Sequence, residues 1–104
     1  VAGIDMESPS YKENEKAKPL NKAMMGWFVD QISKSPDDKN SPMIDLVGKA
    51  DVKGLPATTI VTAQIDPLRT DGERLAARFR SVGGWLARRG RLPTRRVVGR
   101  ALRR

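Results

Sequence analysis

One carboxylate in this chain stands where an enzyme would need one. Asp66 directly follows a run of β-branched and apolar residues, Thr58–Ile65. In α/β enzymes, ligands and catalytic groups lie at the carboxyl ends of the strands, and a carboxylate there can orient a histidine base. The chain contains no histidine and no cysteine. The sequence therefore offers a candidate catalytic acid without a base, and considered alone Asp66 is also typical of a turn or helix entry.

The segment before Asp66 predicts a strand, Thr58 to Ala63 or Ile65. Its nearly continuous apolar character is typical of a strand buried on both faces of a parallel sheet. No second stretch of the chain has comparable strand character. Because the backbone groups of such a strand need neighbours on both sides, the sequence predicts that the chain is part of a larger structure.

Two helices are predicted, one on each side of this strand. Asn21 is a suitable N-cap for a helix running to about Ser33. Thr70 or Asp71 can cap the second helix, and Gly83-Gly84 is expected to end it.

The first helix carries an apolar stripe with two possible interpretations. Met24, Met25, Trp27 and Phe28 contribute to it. Such a stripe is typical of core packing. Alternatively, these side chains line a pocket for the acyl or alcohol part of a substrate, since ligand pockets are mostly apolar.

The charge of the chain is concentrated in its last 21 residues. Residues 1–83 hold twelve acidic and twelve basic residues, whereas residues 84–104 hold eight arginines and no acidic residue or lysine, which gives the net charge of +8. We expect residues 84–104 to be disordered or the product of an out-of-frame reading of GC-rich coding DNA. The alternative is a basic arm, Arg88–Arg104, that binds nucleic acid or an anionic surface non-specifically.

Composition excludes several classes of site. Without cysteine or histidine, a disulfide framework and a transition-metal site are not expected, and no cofactor is predicted. No stretch approaches the ~20 apolar residues of a membrane span. The first residues lack the basic and apolar regions of a signal peptide, which predicts a cytoplasmic location.

Several segments resemble the hormone-sensitive-lipase-like carboxylesterases of the α/β-hydrolase fold. The resemblance covers about residues 1–83, in matching order and spacing. The segments are Ser8-Pro9-Ser10-Tyr11, Asn21-Lys22-Ala23-Met24-Met25 with Trp27-Phe28, Gly54-Leu55-Pro56-Ala57-Thr58, and Asp66-Pro67-Leu68-Arg69 with Gly72.

This resemblance implies an incomplete piece of an α/β-hydrolase domain, too small for the full sheet. It implies that Asp66 is the acid of a Ser-Asp-His triad acting on small carboxylic esters. The family's Gly-x-Ser-x-Gly and His-Gly-Gly-Gly motifs and its catalytic histidine do not occur in the chain. We therefore expect a piece of a serine esterase that is inactive alone. The alternatives are a non-catalytic hydrolase remnant or binding through the basic tail.

Overall fold

The computed structural model describes residues 1–82 and, for the backbone alone, residues 87–92 and 96–100. Three helices, a short 3-10 helix and three strands make up this part of the chain. In chain order they are α1 (Pro9–Glu13), α2 (Lys22–Ile32), the 3-10 helix (Pro36–Asn40), β1 (Thr59–Ala63), α3 (Arg69–Ser81), β2 (Ala87–Leu92) and β3 (Arg96–Arg100).

Helix α2 begins and ends where the sequence predicted. The Asn21 side-chain oxygen Oδ1 accepts a hydrogen bond from the Met24 backbone N–H at 2.9 Å. At the other end, the Ser33 N–H donates to the Val29 carbonyl at 3.1 Å. The polar cap therefore fixes the first turn of the helix, since a side-chain acceptor satisfies one of its unpaired N–H groups.

Only one residue of the apolar stripe of α2, Met25, packs into the core. Met25 and Val29, which are one turn apart, are buried. Met24, Trp27 and Phe28 are 41%, 59% and 42% exposed. Core packing of the whole stripe was therefore a wrong expectation, because the buried Met25 faces away from its exposed neighbours.

Strand β1 lies in a three-stranded sheet of order β1-β3-β2. Both pairings are antiparallel, and Val61 is paired with Val98. The sequence offers no second stretch of comparable strand character, whereas the backbone forms two further strands, β2 and β3. Disorder of residues 84–104 stays a prediction. The hypothesis of a shifted reading frame remains a prediction.

The predicted burial of β1 on both faces was also wrong. Thr62 is buried, whereas Val61 is 59% exposed. The physical reason is that helix α3 packs against the strand on the face of Thr62, while Val61 points to the opposite face.

Helix α3 begins earlier than predicted. Its first residue is Arg69 and its N-cap is Leu68, rather than Thr70 or Asp71. The Arg69 N–H donates to the Asp66 carbonyl at 3.1 Å, so the turn after β1 leads directly into the helix. The helix ends at Ser81, and the predicted Gly83-Gly84 stop lies outside the described residues.

Polar side chains of α3 hold segments that are distant in sequence. Arg74 forms an ion pair with Asp5, with Nη1 and Oδ2 2.8 Å apart. Arg78 Nη1 donates to the carbonyls of Leu46 and Val47 at 2.7 and 2.9 Å. Helix α3 thereby fixes both the N-terminal segment and the long loop that precedes β1.

Among residues 1–82, the buried apolar residues come from helices and loops rather than from β1. They are Tyr11, Met25, Val29, Val52, Ala76 and Phe79. Within the described part of the chain, no helix is both long and apolar enough to cross a membrane.

The close approach of α3 to β1 requires glycine at position 72. An ideal Cβ built on Gly72 would lie 2.5 Å from the Thr62 methyl carbon Cγ2. We expect Gly72→Ala to lower the free energy of unfolding by about 1–3 kcal/mol, as overpacking does, measured by urea denaturation.

Two further variants control this prediction. Thr62→Ser removes Cγ2 and keeps the hydroxyl, so it should restore most of the stability that Gly72→Ala loses. Gly26→Ala in α2, where a Cβ would meet only the Met6 methyl carbon at 3.5 Å, should be neutral or stabilise by up to about 1 kcal/mol through helix propensity. Equal stability of Gly72→Ala and wild type would contradict the proposed contact.

Candidate active site around Asp66

Asp66 lies in the turn between β1 and α3, and one of its two carboxylate oxygens is hydrogen-bonded. Oδ1 accepts a hydrogen bond from the Leu68 N–H at 2.8 Å, and the residue is half-buried. Oδ2 accepts no hydrogen bond from any residue that the structure describes. The turn therefore fixes the carboxylate through one oxygen and leaves the other for a further donor.

Ser10 in α1 joins both ends of this turn, although it lies about 60 residues away in the sequence. Its hydroxyl donates to the Pro67 carbonyl at 2.6 Å and accepts from the Thr70 N–H at 3.0 Å. The Ser10 N–H in turn donates to Thr70 Oγ1 at 3.1 Å. Both residues are buried, so these bonds are shielded from water.

Two further contacts connect α1 to the same turn. Asn14 Nδ2 donates to the carbonyls of Ser10 at 3.0 Å and Asp66 at 3.4 Å. Arg69 forms an ion pair with Glu13 and donates to the Gln64 carbonyl at 2.7 Å. The segments Ser8-Pro9-Ser10-Tyr11 and Asp66-Pro67-Leu68-Arg69, which carry the family resemblance, are therefore in direct contact.

Asp71 is a second carboxylate near the turn, and its role is different. It is 2% exposed, and Oδ2 accepts from the Gly3 N–H at 3.1 Å. Burial raises the pKa of Asp71, while hydrogen bonds from the Gly3 and Ala2 backbone oppose that rise. Its hydrogen bonds are made to the N-terminal segment, so Asp71 anchors that segment to α3.

Tyr11 is buried and is affected by the charges of both carboxylates. Its side chain is 1% exposed. Burial, followed by the negative charges of Asp71 and Asp66, raises the pKa of Tyr11 to about 12. The phenol therefore stays protonated through the neutral range and carries no charge next to Asp66.

The predicted pocket residues do not form one group. Met24, Trp27 and Phe28 are exposed, and the rings of Trp27 and Phe28 meet edge to face with centroids 5.1 Å apart. Met25 belongs to the core instead. No hydrogen bond, ion pair or ring contact joins these residues to Asp66 in the described part of the structure.

Sequence reasoning missed Ser10, Thr70 and Asn14 as partners of the Asp66 turn. Local periodicity carries no information about contacts between residues about 60 positions apart. The available signal was that two polar segments with proline, Ser8-Pro9-Ser10-Tyr11 and Asp66-Pro67-Leu68-Arg69, both belong to the family resemblance.

Metal binding has no support in the residues that the structure describes. Among them, no group of three or more acidic side chains is arranged to hold a metal ion. The side chains of the predicted basic arm, Arg88–Arg104, lie outside the described residues.

Titration of the phenol tests the burial of Tyr11 and the effect of the two carboxylates on its pKa. Tyr11 is the single tyrosine of the chain, so absorbance near 295 nm reports on it alone. We expect a pKa of about 12, and a lower pKa in Asp71→Asn, which removes one neighbouring charge. Asp37→Asn, on the exposed 3-10 helix, should leave it unchanged.

The raised pKa of Tyr11 also predicts how the free energy of unfolding changes at alkaline pH. The unfolded phenol loses its proton near pH 10 and the folded one near 12, so the unfolded state binds fewer protons in this window. The free energy of unfolding therefore falls as the pH rises from 10 to 12. Tyr11→Phe should remove that loss of stability. An ordinary pKa for Tyr11 in the folded protein would contradict the burial of its phenol.

Residues 1–87 match the family described as alpha/beta hydrolase fold. The carboxylesterase NlhH from two strains of Mycobacterium tuberculosis is 36% identical over 83 residues, which cover 76% of this chain and 26% of the mycobacterial protein. A protein of Acanthamoeba polyphaga mimivirus is 31% identical over 85 residues, 80% of this chain and 25% of the viral protein.

The chain thus spans about a quarter of the length of the curated relatives it matches. No solved structure gives a significant match. The family match covers more than half of the chain and includes every described contact of the Asp66 turn. This chain therefore belongs to the α/β-hydrolase fold family, as its resemblance to the hormone-sensitive-lipase-like carboxylesterases predicted.

Proposed function

We propose that residues 1–82 supply the acid of a Ser-Asp-His triad in a carboxylic ester hydrolase, and that Asp66 is this acid. One observation carries the proposal. Asp66 follows a strand, its Oδ1 is held by the Leu68 N–H, and its Oδ2 has no partner among the described residues. A turn aspartate that only capped the helix would need no more than the first oxygen.

The free oxygen suits the role of a triad acid. Asp66 Oδ2 would accept the Nδ1–H of a histidine, which fixes the tautomer with Nε2 free to act as the base. The carboxylate would then stabilise the imidazolium that forms when the nucleophilic serine loses its proton. Its half-buried position strengthens this interaction, since water screens it less than at a fully exposed site.

The remaining catalytic groups must come from polypeptide outside this chain. The chain has no histidine and no Gly-x-Ser-x-Gly sequence, so it holds neither a base nor the family's nucleophile motif. Acyl transfer without a nucleophile, a base and oxyanion donors has no mechanism. In this proposal the chain by itself is a piece of a carboxylesterase and not a catalyst.

The relatives and the exposed side chains of α2 support the proposed substrate class. Two curated relatives are named carboxylesterases, which supports a small ester as the substrate. The exposed apolar side chains of Met24, Trp27 and Phe28 could form one wall of a pocket for its acyl or alcohol group once the rest of a hydrolase covers them. Met25 is excluded from this wall by its burial in the core.

A chimera tests the role of Asp66. Residues 1–82 would replace the matching segment of the mycobacterial carboxylesterase, and hydrolysis of p-nitrophenyl acetate would be measured. We expect Asp66→Asn to lower kcat by about 10⁴-fold, as loss of the triad acid's charge does elsewhere, because the amide no longer stabilises the imidazolium.

The matched control is Asp37→Asn, which neutralises an exposed aspartate far along the chain from the turn and should leave kcat unchanged. Circular dichroism would establish that both variants fold as the parent chimera does. A folded Asp66→Asn chimera that keeps more than about a tenth of its kcat would refute the assignment, since acid removal costs orders of magnitude.

A second candidate function is binding to nucleic acid or another anionic surface through the basic tail. Its support is the charge of residues 84–104, which hold eight arginines and no acidic residue. The sheet register is compatible with this charge, since it places Arg88, Arg89, Arg96 and Arg100 opposite glycine, valine, leucine and alanine of the paired strand. Antiparallel pairing of β2 with β3 therefore brings no two of these arginines directly opposite each other, which would be unfavourable.

Salt dependence tests this second candidate. Affinity of the full chain for single-stranded DNA should fall linearly with salt on logarithmic axes, with a slope of about −0.7 per phosphate neutralised. A chain ending at Val82 should bind much more weakly, because its charges balance. Equal binding by both chains would contradict a role for the tail. If neither binds, the non-catalytic hydrolase remnant remains as the alternative to the esterase piece.

A further inference from the structure

We propose that Ser10 and Thr70 are positioning residues for Asp66, acting through a reciprocal cap between helices α1 and α3. The cap consists of the bonds from the Ser10 N–H to Thr70 Oγ1 and from the Thr70 N–H to Ser10 Oγ. The inference rests on the proposed role of Asp66 as the triad acid.

Neither helix caps its own N-terminus with a side chain. The N-cap residues are Ser8 for α1 and Leu68 for α3, and neither makes a side-chain capping bond. The first N–H groups of a helix have no partner within it and need one from elsewhere. Ser10 and Thr70 are each the second residue of their helix, so each supplies the acceptor that the other helix lacks.

The cap holds the turn in the conformation that keeps the Asp66 carboxylate in place. The bond from the Leu68 N–H to Asp66 Oδ1 fixes the carboxylate relative to the turn. The turn itself is attached through Pro67 and Thr70, which both bond to Ser10 Oγ. The buried Oγ of Ser10 thus connects Pro67 and Thr70, the residues on either side of Leu68-Arg69.

Ser8 provides a matched control in the same segment. Ser8 and Ser10 are both fully buried, with 1% and 0% of their surface exposed. Unlike Ser10, Ser8 has no hydrogen-bond partner for its Oγ among the described residues. Replacing Ser8 by alanine removes an unpaired buried hydroxyl, which is close to neutral or favourable. Replacing Ser10 by alanine leaves the Pro67 carbonyl and the Thr70 N–H unpaired.

Amide hydrogen exchange of the full chain, followed by NMR, separates positioning from simple stabilisation. In Ser10→Ala the Thr70 amide loses its acceptor, so its exchange accelerates under either role. The Leu68 amide accelerates only if the Asp66 carboxylate leaves its place. We expect about a tenfold or larger increase at Leu68, reflecting local opening of the turn, and less than about a twofold change in Ser8→Ala.

A second spectroscopic reading is the rotamer of Asp66, measured through three-bond couplings to its Cγ. We expect one χ1 rotamer in wild type and Ser8→Ala, and averaging over several in Ser10→Ala. Val29→Ala, which removes core volume in α2, controls for a general loss of stability and should leave the rotamer unchanged. A single rotamer and a protected Leu68 amide in Ser10→Ala would overturn the proposal.

A second pair of variants applies if Ser10→Ala does not fold. Thr70→Val removes the Oγ1 acceptor with little change of shape, and Thr70→Ser retains it. Loss of Leu68 protection in Thr70→Val but not in Thr70→Ser supports the proposal, and equal protection in both overturns it. These measurements do not depend on catalysis. A folded Asp66→Asn chimera that kept its kcat would therefore refute the role of Asp66 as the acid without affecting the test of its position.

Discussion

The structure of residues 1–82 depends on a buried polar contact between two helix starts. Ser10 and Thr70, about 60 residues apart, exchange two hydrogen bonds in which each satisfies the other's N–H. Buried N–H groups without partners are costly, so neither helix start would be satisfied away from the other. The position of α1, the start of α3 and the turn between β1 and α3 are therefore one structural unit. The candidate acid lies inside that unit.

Local signals in the sequence were sufficient to predict several of the helices and strands but not the contacts between them. The cap at Asn21 and the β-branched run before Asp66 predicted α2 and β1 to within a residue or two, because capping and strand propensity act over a few positions. The start of α3 was misplaced because Thr70 and Asp71 are good caps by type. Their side chains instead bond to Ser10 and Gly3, which no local pattern reveals.

The errors about burial have a common origin. The stripe on α2 and the run in β1 are both apolar enough to be buried in a complete α/β domain. In this structure Trp27 and Val61 are each 59% exposed. The hydrophobic pattern of an element predicts which of its surfaces favour burial. Whether another helix or strand covers that surface is not contained in the pattern. The sequence alone predicts Asp66 as a candidate acid, because its position after a strand and its family motif are both local features, and the assignment stays a prediction.

Besides its contacts with side chains, helix α3 binds backbone groups of several other segments. Arg78 binds the carbonyls of residues 46 and 47, Asp71 binds the N–H of residue 3, and Arg69 binds the carbonyl of residue 64. Every amino acid except proline presents the same backbone groups. Evolutionary drift at the contacted positions can therefore change their side chains while the path of the chain is preserved. Conservation is then needed mainly at the few residues of α3 whose side chains bind these backbone groups.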